Sequence, residues 1–241
     1  MRVLQSTFAL LLFSASVFAQ KPPKLSITHL TGDFYVFTTY QVYEGKPVPA
    51  NAMYLVTSEG VVLFDSPWDS TQFQPLIDSI DNRHHKPVIM CIATHWHEDR
   101  TGGLAFYRQH GAKTYTSMQT DELSLAKNKK RAAFTFLNDT IFKVGQYAFQ
   151  TYFGGQGHST DNIVIWFEKE KILYGGCLIK STAATDLGNL SDANVKEWQH
   201  TIENIQQKFG RPDYVIPGHD DWHSTAALTH TLDLIRQKNR K

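Results

Sequence analysis

The stretch Thr94-His95-Trp96-His97-Glu98-Asp99-Arg100-Thr101-Gly102-Gly103 sets two imidazoles and a carboxylate at alternate positions. In extended chain, residues i and i+2 project to the same side. His95 and His97 can therefore approach one metal ion together, and Asp99 adds an oxygen ligand at the rim. The apolar run 87–93 before the motif reads as a strand, and a short helical pattern begins near Leu104. Gly102 and Gly103 permit a tight turn beneath the site. In a chain with eleven histidines, this motif alone is as readily a solvated turn. Further ligands must be found elsewhere before a metal is implied.

Three other segments supply them, each a polar ligand type on a glycine-flanked turn at the end of an apolar run. They are Gly157-His158-Ser159 after a strand ending at Phe153, Gly175-Gly176-Cys177 with Lys180 three residues on, and Pro217-Gly218-His219-Asp220. His95, His97, Asp99, His158, Cys177 and His219 together make a mixture of imidazole, carboxylate and thiolate suited to zinc. Six such groups suit two Zn2+ ions with three protein ligands each, which leaves open positions for water, as in catalytic sites.

In order and spacing, His-x-His-x-Asp-Arg, Gly-His, Gly-Gly-Cys-x-x-Lys and Gly-His resemble the metallo-β-lactamases of class B, subclass 1, across the whole mature chain. Arg100 stands where the wider superfamily usually has histidine. Cys177 replaces the bridging aspartate expected of glyoxalase-type thioester hydrolases. Both departures favour the lactamase branch over a hydrolase of thioesters or phosphoesters on the same fold. The resemblance implies one zinc held by His95, His97 and His158 and the other by Asp99, Cys177 and His219. It implies hydrolysis of the β-lactam amide of penicillins, cephalosporins and carbapenems by a metal-bound hydroxide, without an acyl-enzyme, so that the protein confers antibiotic resistance. Asp99 would orient the nucleophile, Lys180 would pair with the substrate carboxylate, and Asn189 would support the carbonyl oxygen. Thr94, Asp65 and Arg100 are candidates to orient ligands or screen charge. Residues 41–51, with Val42 and Tyr43, resemble the family's movable flap. Trp96 and Glu98 carry no assigned chemistry, and His223 reads as a helix-entry residue.

The elements that must position these groups follow from patterning. Strand-like runs cover 25–30 and 34–40, followed by a hairpin tip or flap at 41–51. Further hairpins join 52–56 to 61–64, 141–144 to 147–153 and 162–167 to 172–174. Phe73, Leu76, Ile77 and Ile80 recur at helical spacing. Short helices are expected at 104–110 and 120–127, the latter exposed, with a strand at 113–116 between them. Val195, Trp198, Ile202, Ile205 and Phe209 mark an amphipathic helix that Ser191 or Asp192 could cap. A last strand, 214–216, leads to His219, and Leu228, Leu232 and Ile235 mark a closing helix. Hairpins with helices between groups imply a mixed α/β protein with two mixed β-sheets packed together and helices on the outer faces. By resemblance this is the αβ/βα sandwich of the metallo-β-lactamase fold.

Composition agrees with a small-molecule hydrolase. The 241 residues are 41% hydrophobic, with five Trp, ten Tyr and fifteen Phe, enough for one large core. Arg2 and the apolar stretch 8–13, ending at Val17-Phe18-Ala19, read as a secretory signal over 1–19 that is cut before Gln20. That leaves a single domain over 20–241. The signal contains one basic and no acidic residue, so 23 basic and 23 acidic side chains remain. Near-zero charge without long single-sign runs argues against nucleic acid. The run 127–131 reads as a solvated face. No other window approaches membrane-spanning length and no cysteine marks a lipid anchor, so a periplasmic protein is expected, and nothing demands more than a monomer. Cys91 and Cys177 in an exported chain invite a disulfide. Under the resemblance Cys177 is a metal thiolate, so Cys91 is a small buried hydrophobe.

Overall fold

The computed structural model describes residues 24–137 and 139–240. The expected signal at 1–19 lies outside the described residues. Seven strands form the first sheet in sequence order: β1 (Leu25–Thr31), β2 (Phe34–Tyr43), β3 (Lys46–Val56), β4 (Val61–Phe64), β5 (Val88–Ile92), β6 (Lys113–Ser117) and β7 (Phe134–Phe136). Pairing is antiparallel from β1 to β4 and parallel from β4 to β7. The second sheet contains β8 (Ile141–Val144), β9 (Tyr147–Tyr152), β10 (Val164–Phe167), β11 (Ile172–Gly176) and β12 (Tyr214–Pro217), in the order β12-β11-β10-β9-β8. Only β11 and β12 run parallel there. Both sheets are mixed, as the sequence predicts.

Alternation along the strands assigns their faces. Val62 and Phe64 of β4 meet Ile165 and Phe167 of β10 in a core between the sheets, with Phe34, Met53, Phe149 and Tyr174. Val61 and Leu63 face outward, under α1 (Phe73–His84), which contributes Phe73, Leu76 and Ile80. The motif and its continuation form α2 (Glu98–Thr101) and α3 (Leu104–Gln109), and the latter adds Leu104 to that outer layer. The exposed helix is α4 (Met118–Ala126). Val164, Trp166, Leu173 and Val215 face out from the second sheet beneath α5 (Val195–Phe209) and α6 (Ala227–Asn239). Each sheet is thus apolar on both faces, and the layer order is helix, sheet, sheet, helix. No helix among the described residues is long and apolar enough to cross a membrane.

Residues 41–51 are more regular than expected. β2 and β3 pair almost to the tip, where Glu44 and Gly45 turn at φ 50° and 77°, the positive φ pair a two-residue hairpin favours. The Asn51 amide points away from β2, to the Gly218 carbonyl at 2.8 Å. Pro49 and Pro47, at the same parity, aim their ring nitrogens at that outer edge, where no ladder bond is lost.

Three local expectations are corrected. The cap of α5 is Asn194, whose side chain accepts from the Glu197 amide at 3.3 Å, rather than Ser191 or Asp192; the Asp192 carboxylate is engaged elsewhere. The extended backbone ends with β5, so His95 lies on a bend, His97 caps α2, and Asp99 sits in that helix's first turn. Gly102 and Gly103 adopt negative φ, and Gly103 serves close packing: a Cβ there would come within 2.7 Å of Ser66 Cβ.

Candidate metal centre

Four strand ends on one edge of the sandwich carry the six side chains. The loop after β5 brings His95, His97 and Asp99. The turn after β9 brings His158, and Cys177 and His219 follow β11 and β12. Gly218 has to be glycine because a Cβ would lie 2.6 Å from the Cys177 amide nitrogen and 2.8 Å from Arg100 Nη2. The glycine serves the approach of protein to protein, so that Cys177 and His219 come together.

The six groups form two contiguous trios. His97 Nδ1 lies 3.1 Å from both His95 Nε2 and His158 Nε2. Cys177 Sγ lies 3.2 Å from Asp99 Oδ2 and from His219 Nε2, and the last two are 3.3 Å apart. The ligand-type atoms of His95, His158 and Cys177 are within 4.8 Å of one another, as are those of His95, His97 and Asp99, so the trios adjoin.

Surrounding groups set the tautomers. Thr94 Oγ1 donates to Asp65 Oδ2 at 2.8 Å, so its oxygen is left to accept from His95 Nδ1–H at 3.3 Å. His97 Nε2–H donates to Asp192 Oδ2 at 3.2 Å. His219 Nδ1–H donates to the Pro49 carbonyl at 2.8 Å. The first two assignments leave the inward nitrogens of His95 and His97 bare, while His219 Nε2 faces Asp99 Oδ2 at 3.3 Å and Cys177 Sγ at 3.2 Å. His95 Nε2 and His97 Nδ1 thus face each other at 3.1 Å as two lone pairs, an arrangement that calls for a cation between them. Burial, with the neighbouring His97 ring adding to it, pushes the His95 pKa well below its usual range. Burial and the Lys180 charge do the same for His158. Both rings stay neutral and able to ligate. The donor set fits two zinc ions.

The other trio is built around Arg100, which is fully buried. Its Nε and Nη2 both reach Asp99 Oδ2 at 3.0 Å. Nη2 also donates to Cys177 Sγ at 3.0 Å and to the Gly218 carbonyl at 2.9 Å. Nη1 donates to the Asn51 carbonyl at 2.7 Å and to Tyr174 Oη at 3.2 Å. Burial would raise the Asp99 pKa, but Arg100 and the His219 hydrogen bond hold it well below the usual carboxylate range. Burial opposes a charge on His219, yet Cys177 and Asp99 hold its pKa up at about 9. Cys91 and Cys177 are both free and buried.

A cleft of about 620 Å³ opens over the trios. Lys180 lines one side, and Tyr43, Val48 and Trp68 line the flank toward the hairpin. Asn189 is there too, its Nδ2 donating to Tyr43 Oη at 3.1 Å. Val42 and Tyr43 are both exposed, and Tyr43 lines the rim of the cleft. His223 stands apart from the trios, exposed and paired with Asp221 at 2.6 Å.

Sequence reasoning missed Asp192 as the partner of His97, Tyr174 as a link between Asp65 and Arg100, and Trp68 against the His219 ring at 5.9 Å. Trp68 alone had a local signal: an aromatic just past the strand-ending Asp65-Ser66-Pro67.

Comparison with known proteins agrees with this geometry. Residues 45–219 match the family model of the metallo-beta-lactamase superfamily. The chain is 48% identical over 233 residues to a metallo-beta-lactamase type 2 of Elizabethkingia meningoseptica, covering 97% of this chain and 94% of the relative. It is 40% identical over 238 residues to metallo-beta-lactamase IND-1 of Chryseobacterium indologenes, covering 98% and 95%. The crystal structure of metallo-beta-lactamase IND-7 superposes with a TM-score of 0.86 at 40% identity, over 90% of this chain and all of that one. A sandwich with its ligand-type residues on one edge, a matching family model over most of its length and such relatives lead to one assignment: the chain belongs to the metallo-β-lactamase superfamily.

Proposed function

We propose that this chain is a zinc-dependent β-lactamase, with one Zn2+ held by His95, His97 and His158 and a second by Asp99, Cys177 and His219. The observation that carries the reading is the pair of adjoining trios beneath a cleft whose wall carries the ammonium of Lys180. Zinc held there supplies Lewis acidity toward the amide carbonyl and brings the ionisation of water toward neutral pH.

The chain's own groups divide the remaining work. Hydrogen bonds to the Asp99 carboxylate run to Oδ2 among the described residues, so Oδ1 is the oxygen that can accept from and aim the attacking water. Lys180 takes the carboxylate beside the ring nitrogen of the substrate. Asn189 supports the carbonyl oxygen once its amide leaves Tyr43. Trp68, Tyr43 and Val48 cover the apolar part of the substrate and exclude water. None of these residues has to act as a covalent nucleophile.

The same reading takes residues 20–241 as one domain, monomeric and exported to the periplasm. A carbapenem and nitrocefin should be hydrolysed, with activity lost to a chelator and restored by zinc. Turnover of lactoylglutathione with no β-lactam hydrolysis would overturn the assignment, and metal binding without any turnover would make the protein a zinc binder.

A further inference from the structure

Lys180 reaches the cleft with no ion pair, and no hydrogen bond from its ammonium, among the described residues; its hydrogen bonds there are made by the backbone, both to Thr231 Oγ1. The group that meets the ammonium is the indole of Trp198, with Nζ 5.4 Å from the ring centroid. On another side stands Gly188, where an added Cβ would be 3.7 Å from Nζ. The attractive charges nearby are Cys177, Asp99 and Asp186. A flexible lysine stem would let the ammonium swing to the first two, where it would neutralise the trio instead of facing a substrate.

Trp198 is fully buried and tied on two sides. Its Nε1 donates to the Leu178 carbonyl at 3.0 Å, in the loop that carries Cys177. Its ring lies so close to Gly157, in the His158 turn, that a Cβ there would come within 2.9 Å. The indole face is therefore fixed relative to both trios. The electron-rich face of an indole attracts an ammonium without using up its hydrogen-bond donors. A carboxylate partner would instead occupy those donors and cancel the charge.

Building on the β-lactamase reading, we propose that Trp198 is a positioning residue for anion recognition: its ring face holds the Lys180 ammonium at the cleft wall, away from Cys177 and Asp99, ready for the substrate carboxylate.

The test compares one β-lactam as the free acid and as its methyl ester, with Trp198→Leu, Trp198→Phe and Lys180→Met. Trp198→Leu should lower the acid-over-ester ratio of kcat/KM about tenfold, the scale of a desolvated cation–π contact. Any general loss from disturbing the core falls on both substrates and leaves the ratio unchanged. Trp198→Phe should keep most of the ratio, and Lys180→Met should abolish it. Independently of turnover, NMR of the metal-free protein should show the Lys180 ε-methylene protons shifted upfield by the indole ring current, with the shift lost in Trp198→Leu. An unshifted methylene in the parent, or a ratio unmoved by Trp198→Leu, overturns the proposal while the β-lactamase reading stands. A ratio unmoved by Lys180→Met overturns both this proposal and the role given to Lys180.

Discussion

The two trios share one edge of one sandwich but are supported in opposite ways. In the histidine trio His95 and His158 are neutral rings, Thr94 and Asp192 each meet one ring of the trio through a hydrogen bond, and the His158 Nδ1 is buried and unpartnered among the described residues. The Asp99–Cys177–His219 trio contains a carboxylate and closes around a cation of the protein's own, Arg100, which donates to two of its members, lies 3.4 Å from the third, and bonds to three further groups. One trio is a set of lone pairs awaiting a charge, whereas the other already has most of its charge balanced. The lesson is that the second trio depends on the folded interior for its electrostatics and the first depends on the metal.

The comparison can be broken most forcefully at Arg100. Arg100→Met leaves Asp99, Asp65 and Cys177 buried without their cation, and urea denaturation should show a loss of about 3–5 kcal/mol. A variant as stable as the parent would mean that the trios are held alike. Cys177→Ser comes next. Metal analysis should find one zinc per chain instead of two, with β-lactam turnover down roughly a hundredfold and the unfolding midpoint near that of the parent. Two bound zincs and normal turnover would remove Cys177 from the ligand set. Asp192→Asn should act on the histidine side alone, weakening zinc there about tenfold in competition with a chromophoric chelator. No change would show that His97 is oriented without Asp192.

The smallest effect is the most diagnostic. In the metal-free protein, His95 and His158 have folded pKa values depressed below their unfolded value of about 6.5, so their contribution to stability is present above that value and is lost as pH falls beneath it. His219, raised to about 9, behaves oppositely: its contribution is present below about pH 6.5 and is lost as pH rises through about 9. The thermal midpoint should therefore peak near about pH 6.5 and fall on both sides of it, by on the order of 5 °C. A midpoint that rises on acidification from pH 7 to pH 5 would contradict the neutral buried imidazoles.

Much of this was legible in the chain because its signals are local. The hairpins announce themselves through turn residues between β-rich runs, and α1, α5 and α6 through apolar spacing. The six ligand types stand out because each lies beside glycine at the end of an apolar run. What was hidden depends on distant contacts. Asp192 and His97 are 95 residues apart, and the pull of that ring is why Asp192 does not cap α5 and Asn194 does. β7, only three residues long, has no pattern of its own and is a strand because β6 offers an edge. Arg100 looked like a lesser companion of the motif; that it bonds to Asn51, Tyr174 and Gly218 could not be read from the chain.

The hairpin over the cleft is rooted in the ligand set itself. The Pro49 carbonyl accepts from His219, the Asn51 amide donates to Gly218, and the Asn51 carbonyl accepts from Arg100. Swinging the whole arm would pull a ligand out of register, so only the stretch beyond Pro49, toward the Glu44–Gly45 turn, is free to vary. Exchanging that fingertip alone offers a way to change which antibiotics are admitted while leaving the hydrolytic machinery intact, a division of labour on which selection by new drugs could act.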